Sequence, residues 1–214
     1  MSSKTRIDTP YGEGLLVTRR ARRPVATVLL SHGAGNGIDT PDLLALDKDL
    51  PPQGISVVRF EQPWRVAGRR VATAPNTLDV ALTAAANWMR VRTPLVVGGR
   101  SAGARSAART ARSLGAAGCL AIAFPLHPPG RPDSSRVEEL RNVRVPTLVV
   151  QGEKDPMGQP DEFPDLPGVD LTVIPGGDHS LKVGKREALT QEDALGVLVE
   201  STLEWLVRDV IGPR

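Results

Sequence analysis

Cysteine is almost absent from this 214-residue chain: Cys119 is the only one. No internal disulfide can form, which excludes a disulfide-stapled scaffold. Cys119 lies in the apolar run from Gly118 to Phe124 and reads as a buried structural thiol. Aromatic residues make up 3% of the chain, and no basic segment interleaves with them. The net charge of +3 is mild, and the arginines are dispersed over 19–23, 65–70, 100–112 and 131–144. These features exclude nucleic-acid binding as the main function. No run approaches the roughly 18 apolar residues a membrane span requires. The opening MSSKTRIDTP lacks the apolar core of a secretory signal, so a soluble cytoplasmic protein with no membrane partner is expected. Three histidines without ligand spacing imply no metal, and no cofactor is implied either.

The chain is rich in turn formers, with 21 Gly and 19 Pro. Its length favours a single domain over residues 1–214 with a sizeable core. Residues 4–8 and 14–19 read as two strands joined by a turn at Thr9–Glu13. Val25–Leu30, Ile55–Phe60, Leu95–Val97, Cys119–Phe124, Val145–Val150 and Leu171–Ile174 follow as strands. The continuous polarity of Val25–Leu30 suggests burial on both faces, as in a parallel sheet covered by helices. Between them come helical stretches. Thr40 is a candidate cap for one with Pro41 in its first turn, Asp42 favouring its dipole, and Leu43, Leu44, Leu46 and Leu50 as its apolar face. A second runs from Asn76 or Thr77 to about Arg90. A third spans Ser101–Leu114, with small Ala104, Ala107, Ala108 and Ala111 facing inward. A short piece lies at Val137–Leu140. Thr190–Ile211 is a long amphipathic helix burying Leu195, Leu198, Leu203, Leu206 and Val210, with Trp205 as packing. Residues 61–65 are expected as a loop. This alternation gives an α/β fold with a mostly parallel sheet. Ligands in such sheets sit beyond the carboxyl ends of the strands, where the loops at 31–37, 60–70, 98–103, 125–133, 151–158 and 175–181 fall.

One of those loops carries Gly99-Arg100-Ser101-Ala102-Gly103, a match to G-x-S-x-G between an apolar strand and a small-residue helix. That pattern demands a sharp strand-to-helix turn lifting a serine to the top of a sheet. A serine needs a base, and the base an orienting carboxylate. His32, His127 and His179 all fall at the same edge, so position alone does not choose among them. Order does: Ser101, then Asp155 after a strand, then His179 after the next, is the chain order of one hydrolase class. Asp178 competes with Asp155, but its adjacency to His179 places its carboxylate badly.

With Leu30-Ser31-His32-Gly33, Gln151-Gly152-Glu153-Lys154-Asp155-Pro156 and Gly177-Asp178-His179 added to the serine motif, the chain resembles the α/β-hydrolase family from Val25 to its final helix. The likeness is to the small, lid-poor group near dienelactone-hydrolase-like proteins, with the flavour of testis-expressed protein 30 and bacterial relatives in Ser31–Gly35 and Phe124–Gly130. Dienelactone hydrolases proper use a cysteine nucleophile, and the serine here argues against that particular activity. The resemblance implies an α/β-hydrolase fold with helices on both faces and a minimal lid. It assigns Ser101 as nucleophile, His179 as base and Asp155 as acid, with the backbone N–H groups of Ala102 and Ala34 as the oxyanion hole. The expected partner is a small carboxylic ester, with a thioester or amide as the other acyl donors; a monomer or homodimer is expected. Four further residues are candidate substrate contacts. His32 is read either so or as a structural residue of its loop, and His127 either touches substrate or caps the proline loop. Trp64, together with Phe60, could line an acyl pocket. Arg100, with neighbouring arginines, could favour an acidic substrate or be solvated. The alternative function is a hydrolase-fold interaction module whose triad is inactive.

Overall fold

The computed structural model describes residues 2–212. An antiparallel hairpin, β1 (Ser3–Thr9) and β2 (Gly12–Arg19), precedes β3 (Ala26–Ser31), α1 (Pro41–Asp49) and β4 (Ile55–Glu61). The one-turn helix α2 (Pro63–Val66) and the longer α3 (Pro75–Met89) lead to β5 (Leu95–Arg100), α4 (Ala102–Thr110) and β6 (Gly118–Ile122). A short α5 (Val137–Arg141), β7 (Thr147–Gly152), β8 (Val169–Ile174) and α6 (Gln191–Trp205) complete the order, and α6 runs on as a π-helical turn over Leu206–Ile211. The eight strands form one sheet in the order β1-β2-β4-β3-β5-β6-β7-β8, and β3 to β8 are parallel.

Every residue of β3, β6 and β7 is buried, as strands covered on both faces require. The alternation of side chains separates two cores. On one face Leu29, Val58, Val97 and Val149 pack with Leu82 and Ala85 of α3 and Ala104, Ala107 and Ala108 of α4. On the other, Val28, Leu30, Val57 and Val96 pack with Leu43 and Leu46 of α1 and Leu198 and Trp205 at the C-terminal end. Cys119 is fully buried, and burial pushes its thiol up to about 12, so it remains an unreactive packing group.

Several local expectations shift. Thr40 precedes α1, but its hydroxyl makes no cap and has no partner among the described residues. Asp42 and Asp47 share the buried side of α1 with Leu43 and Leu46, which turns Leu44 outward to 40% exposure. Pro63, suited to a first helical position, converts the expected loop at 61–65 into α2. Helix α4 ends at Thr110, and a tight turn closed by Gly115 at φ 60° replaces its expected last turn.

The approach of β5 and α4 to β3 is close. A Cβ placed on Gly99 or on Gly103 would overlap the carbonyl group of Ser31. We expect Gly99→Ala and Gly103→Ala each to lower the unfolding free energy by about 2–3 kcal/mol in urea titrations. Gly196, inside α6 with open space around it, is the contrast: Gly196→Ala should raise stability by roughly 0.5–1 kcal/mol.

Candidate active site

Ser101 sits between β5 and α4 with φ 54° and ψ −113°, far from the ordinary regions for a residue with a side chain. Its N–H donates to the Ile122 carbonyl at 2.9 Å, which ties the turn to the neighbouring strand. The hydroxyl points up to His179, Oγ to Nε2 2.9 Å. The other ring nitrogen, Nδ1, lies 2.7 Å from Asp155 Oδ2. The hydroxyl, the imidazole and the carboxylate therefore form one unbroken hydrogen-bonded line.

Each partner is set by its own loop. Asp155 follows β7 and is fully buried. Besides the imidazole, its carboxylate accepts from Gln151 Nε2 at 2.8 Å and from the Met157 N–H at 2.8 Å. Gln151, also fully buried, donates to the Gly158 carbonyl as well and so closes the loop. The loop after β8 crosses over Gly152, where a Cβ would overlap the Gly177 and Asp178 carbonyls. That crossing brings His179 over β7 and β5. Asp178 uses its carboxylate on the N–H groups of Ser180 and Lys182, so it is committed to the turn itself.

Two backbone segments meet at the serine. Ala102 opens α4, where an N–H has no intrahelical partner. On the other side Gly33 brings the loop after β3 against the serine: a Cβ there would lie 3.3 Å from the Ser101 Cβ. Ala34 follows it on the exposed part of that loop. Among the described residues no group of three or more His, Cys, Asp or Glu side chains is arranged to hold a metal ion, and no helix is long and apolar enough to cross a membrane.

The sequence model of the alpha/beta hydrolase domain matches residues 24–207. The chain belongs to the alpha/beta hydrolase family. Solved structures share the fold of this hydrolase. An α/β serine hydrolase without a lid from Xanthomonas campestris is 23% identical, with 95% of this chain and 94% of that one covered and a TM-score of 0.72. Dienelactone hydrolase from Anabaena variabilis is 16% identical, covers 98% of both chains and has a TM-score of 0.75. Est1E from Butyrivibrio proteoclasticus is 13% identical, with 96% and 99% covered and a TM-score of 0.74. These comparisons speak to the family and its fold and do not extend to testis-expressed protein 30. The Xanthomonas protein is described as lidless, and among the described residues of this hydrolase the helices between β4 and α3 and between β6 and β7 are short: α2 has four residues and α5 five.

The four candidate substrate contacts lie in the hydrolase as follows, with His32 and His127 in the structural settings that are the second reading of each. Arg100 is 5% exposed. Its Nε lies 3.1 Å from Asp42 Oδ2, and its Nη2 donates to the His179 carbonyl at 2.9 Å. It anchors α1 and the histidine loop to β5. His32 is 2% exposed. Its Nδ1 lies 2.8 Å from the Gly33 carbonyl and can only donate there, while Nε2 accepts the Gln62 N–H at 3.0 Å. Both nitrogens are taken, which defines a neutral Nδ1–H imidazole pinning the loop that holds Ala34. Trp64 is 4% exposed and packs on that ring, centroids 5.4 Å apart. His127 is bound at both nitrogens, to the Pro128 carbonyl at 2.9 Å and to Glu162 at 2.8 Å. It joins the proline loop to the segment after Asp155.

Gln151 and the arginine anchor are the functional residues that sequence reasoning missed in these roles. Gln151 stands inside the Gln151–Pro156 motif, and a polar side chain directly after the apolar run Leu148–Val150 is its signal in the sequence.

Burial holds the His32 imidazole below its ordinary value of 6.5, against hydrogen bonds to Gly33 and Asn36 that act the other way. Its contribution to stability is complete above pH 6.5 and is lost as pH falls through the lower folded value. Imidazole ¹⁵N shifts of His32 should report the Nδ1–H tautomer at pH 7 and a titration midpoint below 6.5; a midpoint at or above 6.5 would contradict this arrangement.

Proposed function

We propose that this hydrolase cleaves small carboxylic esters through an acyl-enzyme on Ser101, with thioesters or amides as the other acyl donors. The observation that carries the reading is the hydrogen-bonded line from Ser101 Oγ through His179 to Asp155. In it His179 Nε2 takes the hydroxyl proton as Oγ attacks the substrate carbonyl, and then returns it to the leaving alcohol. Asp155 keeps the proton on Nδ1, so Nε2 is the basic nitrogen, and it stabilises the imidazolium once formed. Its two further donors, Gln151 and the Met157 amide, fix the carboxylate's orientation and offset its burial. Water repeats the sequence in reverse to free the acid.

The N–H groups of Ala102 and Ala34 are the oxyanion donors in this reading. The amino end of α4 adds the partial positive charge of its unpaired amides. Such preorganised donors are commonly worth about 10²–10³ each in turnover. The short α2 and α5 leave the serine open to solvent, which favours small, soluble acyl groups over long chains.

A fluorophosphonate probe should label the wild type and spare Ser101→Ala. Absence of labelling in folded protein would instead favour an inactive interaction module. In p-nitrophenyl ester assays, Asp155→Asn should lower kcat by about 10⁴-fold with the fold intact. Acetate should be turned over faster than palmitate; the reverse order would refute the open-site reading.

A further inference from the structure

At the amino ends of the parallel strands, on the opposite rim from Ser101, a groove of about 400 Å³ opens between the hairpin and the end of α3. Trp88 forms one wall and is 52% exposed, whereas Trp64 and Trp205 are buried. Arg20 lines the other side, and Arg90 and Arg92 flank the tryptophan. No acidic residue lines the groove. The arginine ion pairs of the described residues involve Arg6, Arg19, Arg59, Arg100, Arg105, Arg109, Arg141 and Arg208, and none of the three in the groove. Arg90 also holds a left-handed backbone, φ 44° and ψ 44°, at the end of α3, where glycine is the usual residue. The rest of the lining mixes hydroxyls with apolar groups: Thr27 and Thr93, hydrogen-bonded to each other at 2.8 Å, with Thr18 and Ser56, beside Leu16 and Val58.

We propose that this groove is a second binding site, for a small organic anion whose flat aromatic ring bears a carboxylate or phosphate. The volume falls within the range of ligand pockets, about 300–1,000 Å³. The half-exposed indole offers a face for stacking a planar ring. Guanidinium groups match carboxylate and phosphate oxygens with paired N–H donors. An anion supplies the charge that three unpaired arginines lack, and it would have no carboxylate in the lining to repel it. The site is independent of the chemistry at Ser101, and its occupation does not require that reading to hold.

Trp88 is the one solvent-facing tryptophan among the three, so intrinsic fluorescence reports on the groove. The full chain, as wild type and as Ser101→Ala, is titrated with phenyl phosphate, benzoate, inorganic phosphate and benzyl alcohol. Phenyl phosphate and benzoate should give saturable changes with half-saturation near or below about 1 mM, identical in both proteins. Inorganic phosphate and benzyl alcohol should bind at least about tenfold more weakly, since each lacks half of the recognition. The exposed pair Arg20→Ser/Arg92→Ser should weaken phenyl phosphate at least about tenfold at unchanged melting temperature, and Trp88→Ala, followed by calorimetry, should do the same. No saturable change, undiminished affinity in a folded variant, or inorganic phosphate binding as tightly as phenyl phosphate would each overturn the proposal.

Discussion

Two backbones cross at the sheet edge with no side chain between them, and the position of the serine depends on that contact. The Ser31 carbonyl at the end of β3 lies against both Gly99 and Gly103. With β3 and β5 paired in parallel up to Ser31 and Gly99, the chain has one residue in which to leave the strand before α4 must start. It does so by holding Ser101 in a backbone region that costs a residue of this kind about 1–3 kcal/mol. The cost is offset by the packing on both sides of the turn: Ala104, Ala107 and Ala108 bury α4 against the sheet, and the serine amide bonds to β6. The strain and the exposed hydroxyl are thus one feature, because a relaxed turn would extend the strand or the helix and point the side chain elsewhere.

Buried charge does the next part of the placement. Arg59 and Arg100 stand near the carboxyl ends of β4 and β5, each about 5% exposed, and face Asp47 and Asp42 on the inner side of α1. Arg59 also donates to the Ile38 carbonyl, and Arg19 reaches Asp47 from the hairpin side. Burying such pairs is no clear gain in stability, since the desolvation of each ion costs several kcal/mol and an apolar replacement of the same shape is often as stable. Apolar side chains could not, however, hold the carbonyls of Ile38 and His179. The distinction matters for Arg100, whose single guanidinium spans from α1 to the histidine loop. Through it, α1 and the loop carrying His179 share one anchor on β5.

The strands were legible because continuous apolar runs have few alternatives in an α/β chain, and the three site loops because glycine, histidine and aspartate cluster where those runs end. What escaped were side chains whose meaning depends on a distant partner. Arg100 looks the same in sequence whether it faces solvent or Asp42, because its partner lies on α1, with β4, α2 and α3 between them. Leu44 reads as part of an apolar face in sequence, but Arg59 and Arg100 draw Asp47 and Asp42 to the inner side of α1 and Leu44 turns outward. The two readings of His127 separate only when Glu162, 35 residues on, is brought to 2.8 Å. Helix α2 is one turn long, too short for periodicity to reveal.

The two structural histidines flank the serine on opposite sides, and protonation acts on them in opposite senses. His32 must stay neutral, because its Nε2 accepts an amide; its contribution is whole above 6.5 and fades as pH falls. His127 has a carbonyl at one nitrogen and a carboxylate at the other, so it is at its best charged. The Pro128 carbonyl above all, and then Glu162, raise it above its ordinary 6.5, against a smaller opposing effect of burial. Its contribution is whole below 6.5 and is lost as pH rises through the folded value. Glu162 is lowered from 4.5, first by the Gln159 amide and then by His127, so its own contribution persists down to its folded value. The loop after β3 therefore tightens as pH rises towards 6.5, and the loop after Asp155 loosens as pH rises beyond it. The two halves of the rim are at their firmest together near 6.5, and each loosens on its own side of that value. In a stability curve for the intact chain the two histidines therefore contribute a fall on each side of 6.5, the acid side from His32 and the alkaline side from His127.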